Sequence, residues 1–218
     1  ANEVPMLSAW PLSVSATPLG AVAWTAAITF LSVAGAGTNP LVPHHAVEQH
    51  LIARGGAYTI LRPGFFAQNF GDAYRQDIVE DGRIYVPAGK GVAAFVDVRD
   101  VGEVAAVALA EPAAHRAQAY TLTGAVAIDF ALAARQLSDA LGRAIRYQPA
   151  SIPGYARHLR ARGMPAMQIA VQTVLHVGLR LGQAAAIDPT LATLLGRAPR
   201  TLAVSLSAWA ALDSTSAR

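Results

Sequence analysis

The chain has 218 residues, of which 53% are hydrophobic and 14% are charged, and it contains no cysteine. This composition excludes a disordered chain, and the lack of cysteine excludes disulfide frameworks, thiolate metal sites and thiol nucleophiles. The net charge of +3 is mild, and no basic run or basic face with interleaved aromatic residues occurs. We therefore do not expect binding to nucleic acid.

A long uncharged stretch precedes the first helix-like segment. No charged residue lies between Glu3 and Glu48, and the run 19–36 is long enough to raise the hypothesis of a membrane helix. The run contains glycine, serine and threonine, and it has no flanking basic residues that would orient a membrane helix. The preferred interpretation is a buried parallel strand at 28–33, so no membrane partner is expected.

Segments typical of strands and of helices alternate from residue 28 onward. Strands are predicted at 28–33, 57–63, 83–89, 92–98, 119–124 and, at an edge, 143–151. Helices are predicted at 43–54, 68–81, 101–112 with Asp100 as its cap, 130–142 with Asp129 near its start, and through most of 153–212. This alternation predicts an α/β protein with a parallel sheet, followed by a mostly helical C-terminal lobe that binds substrate.

Several segments, in this order, resemble the NmrA-like branch of the atypical short-chain dehydrogenases/reductases. They are ITFLSVAGAG (28–37), PHHAVEQHLIARGGAYTILRPGFFAQN (43–69), GRIYVPAGKGVAAFVDVRDVGEVAAVAL (82–109), YTLTG (120–124), LGRAIRYQPAS (141–151) and LLGRAPRTLAVSLSAWAALD (194–213). The most specific part is TILRPGFFAQN followed by FVDVRDVGEVAA at this spacing. The resemblance covers roughly residues 28–212.

The resemblance implies a partial Rossmann-like parallel sheet. Residues 28–150 would be the C-terminal half of an NAD(P)-binding domain, residues 151–218 a helical substrate lobe and tail, and residues 1–27 a segment outside the family. Such proteins normally hold the cofactor pyrophosphate on a G-x-x-G-x-x-G loop. The only glycines before residue 50 are Gly20, Gly35 and Gly37, so we expect a truncated or misread N-terminus that lacks this loop.

The function implied by the resemblance is hydride transfer from NADPH or NADH to a small carbonyl or quinone-like acceptor, in a cytoplasmic protein. The Tyr-x-x-x-Lys pair of ordinary short-chain dehydrogenases is absent, because Lys90 is the only lysine and has no tyrosine four residues before it. Two alternatives stay open: a non-catalytic NAD(P)-sensing regulatory protein and an inactive fragment.

The resemblance also implies roles for individual residues. Ser32 and His44 would position or polarise the acceptor, and a histidine at this place could donate a proton or a hydrogen bond. The cofactor would contact the end of the second strand, and the substrate pocket would lie beside it. The predicted cofactor residues are Pro63, Gly64 and Phe65, and the predicted pocket residues are Phe66, Asn69 and Met164.

Each of these roles has a plainer alternative. His44 could be an exposed residue of the first helical turn with Glu48 as its partner four residues on, the aromatic pair could be core, and Asn69 could cap a helix. A metal site is not expected, since only His44 and Glu48 stand at usable spacing and a site needs three or four ligands. His115, His158 and His176 are isolated in the sequence.

Overall fold

The computed structural model describes residues 27–216. Residues 1–26 lie outside the described residues. They include all of the predicted N-terminal segment 1–27 except Ala27, and the first part of the uncharged run 19–36. The helices are α1 (Pro43–Arg54), α2 (Arg75–Asp81), α3 (Val98–Ala110), α4 (Phe130–Leu141), α5 (Ile152–Ala161), α6 (Ala166–Arg180), α7 (Thr190–Leu195) and α8 (Leu202–Ser216). The strands are β1 (Ile28–Leu31), β2 (Tyr58–Pro63), β3 (Arg83–Ile84), β4 (Val92–Ala93), β5 (Gln118–Leu122), β6 (Ile128–Asp129) and β7 (Arg146–Tyr147).

A parallel sheet of three strands, in the order β1-β2-β5, is the centre of the fold. Ile60 of the middle strand lies opposite Phe30 of β1 and Ala119 of β5. Parallel neighbours need a crossover connection, and α1 supplies it between β1 and β2. The predicted α/β class with a parallel, Rossmann-like sheet is confirmed.

Two further strand pairs extend the structure beside this sheet. β3 pairs with β7 in parallel, and β4 pairs with β6 in antiparallel orientation. The strand predicted at 92–98 is shorter in the structure. Only Val92–Ala93 form a strand, and Val98 already begins α3. Within residues 27–216, no helix is both long enough and apolar enough to cross a membrane.

Local side-chain chemistry explains most of the helix boundaries. Pro43 stands in the first turn of α1 and Gly55 follows its last residue, as the sequence predicts. Asp129 caps α4, where Oδ1 accepts a hydrogen bond of 2.7 Å from the backbone N–H of Leu132. The cap of α3 is Asp97 and not Asp100, because the helix begins at Val98, three residues earlier than predicted.

The predicted helix 68–81 is interrupted in the structure. A 3₁₀ turn at Ala67–Phe70 ends at Gly71, and α2 starts only at Arg75. The indole of Trp209, from α8, packs against Gly71 so closely that a Cβ there would lie 2.5 Å from its Cδ1. The break thus lets a C-terminal helix approach the backbone at this point.

Most buried side chains belong to one large cluster that includes residues on both sides of position 150. Phe70 and Phe130 are fully buried in it, and Tyr155, Leu179 and Leu206 of the C-terminal helices join it. A smaller cluster lies between α3, α7 and the sheet, and it contains Leu61, Val96 and Leu191. The C-terminal helices are therefore packed directly on the α/β part of the chain.

Candidate functional site

The carboxyl ends of β1 and β2 are joined by a buried polar cluster of Ser32, Glu48 and Arg62. The Ser32 hydroxyl donates to Glu48, and Arg62 Nη2 donates to Glu48 Oε2 over 2.6 Å. Glu48 has no exposed surface and Ser32 is 2% exposed. Since open α/β sheets bind ligands at this edge, the cluster fixes the geometry of the expected crevice.

Charge in this cluster is balanced within the protein. Burial raises the pKa of Glu48, but the hydrogen bonds from Arg62 and Ser32 together with the arginine charge outweigh it, so the net pKa is below its ordinary value. The guanidinium of Arg62 packs against Gly37, where a Cβ would lie 2.5 Å from Nη2. A larger residue at this position of the loop after β1 would therefore displace the guanidinium.

The two adjacent histidines of α1 have different surroundings. His45 Nδ1 lies 2.7 Å from the carbonyl oxygen of Ala36 and so ties the loop to the helix. The ring of His44 stands 6.1 Å from that of Phe30, and its buried Nδ1 has no hydrogen-bond partner within residues 27–216. His44 therefore has a buried ring nitrogen whose hydrogen-bonding capacity no described residue uses.

A cavity of about 270 Å³ opens where β2 ends and α6 crosses the chain. One wall comes from the segment after β2 and the other from α6. The lining residues are Phe65, Asn69, Ala73, Tyr74, Met167, Gln168, Val171, Gln172, Leu175 and His176. Clefts of this kind, mostly apolar with a few polar groups, are the usual form of a small-molecule site.

Tyr74 and His176 form a buried hydrogen-bonded pair in this lining. The Tyr74 hydroxyl lies 2.6 Å from His176 Nε2, and His176 Nδ1 lies 2.6 Å from the carbonyl oxygen of Gln172. Because a carbonyl can only accept, Nδ1 carries the proton, and Nε2 of the neutral ring accepts from the tyrosine. Burial lowers the pKa of His176 to about 4 and raises that of Tyr74, so both side chains are neutral at pH 7.

The structure brings some of the sequence-predicted residues to the cavity and places others elsewhere. Phe65 and Asn69 line it, although Phe65 was expected at the cofactor. Phe66 packs instead against the smaller core cluster and forms a β-bridge with Val96, and Met164 packs against the large cluster. The N-cap positions next to Asn69 are held by Phe66 and Tyr74, so Asn69 caps neither helix.

The predicted cofactor residues at the end of β2 are part of the sheet's hydrogen-bond network. The Pro63 carbonyl accepts from Ala34 N over 2.8 Å, and Gly64 N donates to the Leu122 carbonyl over 2.9 Å. Ser32 likewise uses its hydroxyl to hold Glu48. These residues therefore shape the crevice through the backbone and through fixed contacts.

Two lining residues escape prediction from sequence. Tyr74 stands in what the sequence shows as an apolar helical position, and His176 is one polar residue in the apolar run 164–182. They are 102 positions apart, so no local spacing links them. The one available signal is that a histidine within an apolar helix needs a partner once it is buried.

His158 also has a partner that the sequence does not suggest. Its Nε2 lies 2.8 Å from Asp77 Oδ1, which Arg162 Nη2 also contacts at 2.7 Å. His158 is isolated in the sequence, but it has an acidic neighbour in the structure because α5 folds back onto α2. Within residues 27–216, no group of three or more histidine, aspartate or glutamate side chains could hold a metal ion.

Comparisons with known proteins agree with this fold. NAD(P)H azoreductase of Xenophilus azovorans is 35% identical over 164 residues, which are 75% of this chain and 57% of that protein. The structure of the NADPH-dependent quinone oxidoreductase of Escherichia coli in complex with NADPH matches with a TM-score of 0.74 and 29% identity, over 83% of this chain and 64% of that one. NmrA, a negative transcriptional regulator solved with NAD, matches with a TM-score of 0.60 at 15% identity, over 87% of this chain and 65% of that one, which shows the fold alone.

These matches define the class as Rossmann-like NAD(P)-binding proteins. They agree with the resemblance carried by the sequence motifs, since the relatives are azo and quinone reductases that use NAD(P)H or NADPH, and the likeness to NmrA adds the fold alone. No protein-family model matches the chain. The chain spans 57%, 54% and 44% of the lengths of three curated relatives that it matches, about half of each.

Proposed function

We propose that the protein is an NAD(P)H-dependent reductase that passes hydride to a small quinone-like or azo acceptor bound in the cavity between Phe65 and α6. The observation that carries the proposal is the place of this cavity. Its lining starts two residues after Pro63, at the carboxyl edge of the parallel sheet, where proteins of this architecture bind cofactor and substrate. The relationship to quinone and azo reductases supports the same chemistry.

The described residues fit the nicotinamide side of such a cofactor. The buried, unpartnered Nδ1 of His44 is a hydrogen-bonding atom that a ligand at the end of β1 could satisfy. Pro63 and Gly64 would form the crevice floor, and the nicotinamide, when bound, would supply the hydride. The sequence has no G-x-x-G-x-x-G loop, so we assign the pyrophosphate to no described residue.

Each side chain of the proposed site has a role that its contacts allow. His44 does not line the cavity, so it would hold the cofactor by its unpartnered ring nitrogen, and Ser32 would act as a positioning residue through Glu48. Phe65 and Asn69 would flank the place where cofactor and acceptor meet, since they follow the strand end and line the cavity.

A titration followed by a turnover assay tests this function. We expect the full chain to bind NADPH or NADH, seen as a change in nicotinamide fluorescence, and to oxidise it when naphthoquinone is added. The variant H44A should weaken cofactor binding about tenfold, as expected for one lost hydrogen bond. The matched control H50A changes an exposed histidine of the same helix and should bind as the wild type does.

The possible results separate the alternatives. Binding with consumption of the cofactor supports the reductase. Binding without consumption, with every acceptor tried, overturns it and favours a sensor of the dinucleotide. Absence of both binding and consumption overturns the proposal and favours an inactive chain.

A further inference from the structure

We infer that the cavity selects uncharged, flat aromatic acceptors of one or two rings and rejects anionic ones, such as sulfonated or carboxylated dyes. The inference rests on the proposed function in one respect, namely that this cavity is the acceptor site. It adds the chemical class of acceptor, which follows from the charge, the hydrogen bonding and the size of the lining.

The lining offers no charged partner to a ligand. None of its ten residues is an arginine, lysine, aspartate or glutamate. Its polar side chains are the amides of Asn69, Gln168 and Gln172, the hydroxyl of Tyr74 and the imidazole of His176. Burying an anion away from water without a cation costs several kcal/mol, about 2–7 even for an uncharged polar group without a partner. A sulfonate held against the buried part of the lining, at Tyr74 and His176, would carry a cost of that kind.

The one ionisable pair in the lining does not supply the missing cation. His176 is 2% exposed, its Nδ1 proton is engaged with the Gln172 carbonyl, and its Nε2 accepts from Tyr74. Both strong donors of the pair are thus already used within the protein. An acceptor's carbonyl or azo nitrogen could still bind the amides of Asn69 and Gln168, for which a neutral partner is sufficient.

The size and walls of the cavity favour small aromatic rings. Its volume of about 270 Å³ exceeds that of an engineered apolar cavity of roughly 150 Å³ that binds benzene. The Phe65 ring meets the His176 ring edge to face at 6.1 Å, and the side chains of Val171 and Leu175 form the opposite wall. Flat rings pack well against such edges and faces.

The helix that forms this wall allows a matched pair of charge variants. Val171 lines the cavity and is 51% exposed, so V171R would place a guanidinium at the cavity mouth without burying it. Val174 is on the same helix, is 70% exposed and does not line the cavity. V174R therefore has the same added charge on the same helix but away from the site.

The experiment compares naphthoquinone with naphthoquinone sulfonate by equilibrium titration of the full chain without cofactor. The two probes differ by one sulfonate group, and the lack of cysteine removes the commonest covalent reaction of quinones with proteins. We expect the wild type and V174R to bind naphthoquinone about 100-fold more tightly than they bind naphthoquinone sulfonate. V171R should bind the sulfonate about tenfold more tightly than the wild type does. Thermal unfolding of each variant confirms that it is folded.

Three results would overturn the inference. They are equal binding of both probes by the wild type, the same gain in sulfonate affinity for V171R and V174R, and no binding of either probe. Because the titration uses no cofactor, selective binding without turnover would disprove the reductase and leave the selectivity intact. Equal turnover of both probes in the presence of NADPH would disprove the selectivity and leave the reductase function intact.

Discussion

The hydroxyl of Tyr74 lies 2.6 Å from Nε2 of His176, a contact between residues 102 positions apart in the chain. It joins the segment after the sheet to helix α6 at the wall of the candidate acceptor cavity. Both side chains are almost fully buried, at 3% and 2% exposure, so each depends on the other for its hydrogen bond. The same hydrogen bond therefore stabilises this region and occupies two of the polar groups of the cavity wall.

Removing the tyrosine hydroxyl should destabilise the protein measurably. Y74F leaves the buried Nε2 of His176 without a donor, and we expect the free energy of unfolding to fall by about 1–3 kcal/mol. Y155F is the matched control, because the Tyr155 hydroxyl makes a longer contact of 3.3 Å to the side chain of Gln172, which is half-buried. Urea unfolding followed by circular dichroism measures both, and equal losses would show that the His176 contact has no special weight.

The low pKa of His176 predicts an acid-sensitive stability. In the unfolded chain this histidine takes up a proton near pH 6.5, whereas in the folded protein it does so only near pH 4. The unfolded state thus binds more protons between these values, and stability falls as the pH is lowered from 6.5 to about 4. H176Q should reduce this fall by on the order of 2 kcal/mol between pH 7 and pH 5.

Urea midpoints of the wild type, H176Q and H50Q at pH 7 and pH 5 test this prediction. H50Q replaces an exposed histidine and should keep the wild-type response to pH. A wild-type midpoint that does not change between the two values, after allowance for the control, would mean that His176 is not held neutral. The low pKa of Glu48 acts in the same direction but only at more acidic pH.

The polar cluster at the ends of β1 and β2 should be strongly sensitive to the charge of Glu48. E48Q leaves Arg62 without its anionic partner beside a buried amide, and we expect a loss of about 3 kcal/mol in the free energy of unfolding. The control E103Q removes a carboxylate that contacts Arg197 and Arg200 at the surface. Since solvent screens that site, its loss should be much smaller, and similar losses for both would contradict the account.

Substitution by alanine should change the stability of the protein in opposite directions at two glycines. A Cβ at Gly124 would overlap with the Phe95 carbonyl oxygen, so G124A should destabilise by at least about 2 kcal/mol or prevent folding. Gly102 lies inside α3 with nothing near its Cβ position. G102A should therefore stabilise the protein by about 0.5–1 kcal/mol, seen as a higher melting temperature. A stable G124A would mean that the loop shifts easily.

Much of the fold can be predicted from the sequence because its signals are local. Pro43 and Gly55 mark the ends of α1, and Asp129 marks the start of α4, through contacts within a few residues. Asp100 misleads for the opposite reason. It has the sequence context of a cap, but its carboxylate binds Arg197 and Arg200, almost a hundred positions away.

The candidate site is less predictable because its residues meet only through tertiary packing. The spacing of His44 and Glu48 suggests a pair along one helix face, yet Glu48 turns toward Ser32 and Arg62, which the sheet brings beneath it. Phe65 and Asn69 could be found because they follow a recognisable strand end. Tyr74 and His176 could not, since nothing in their own segments shows that α6 closes over the end of β2.

The most direct measurement of the central claim is the rate of NADPH oxidation with naphthoquinone in a variant whose cavity is filled. L175W adds a large ring to a residue that lines the cavity, whereas V174W adds the same ring to an exposed neighbour outside it. We predict that L175W lowers the rate at least about tenfold with unchanged NADPH binding, a loss of about 1.4 kcal/mol in transition-state stabilisation, and that V174W has no effect. A wild-type rate in L175W, or equal losses in both variants, would contradict the assignment of this cavity as the acceptor site.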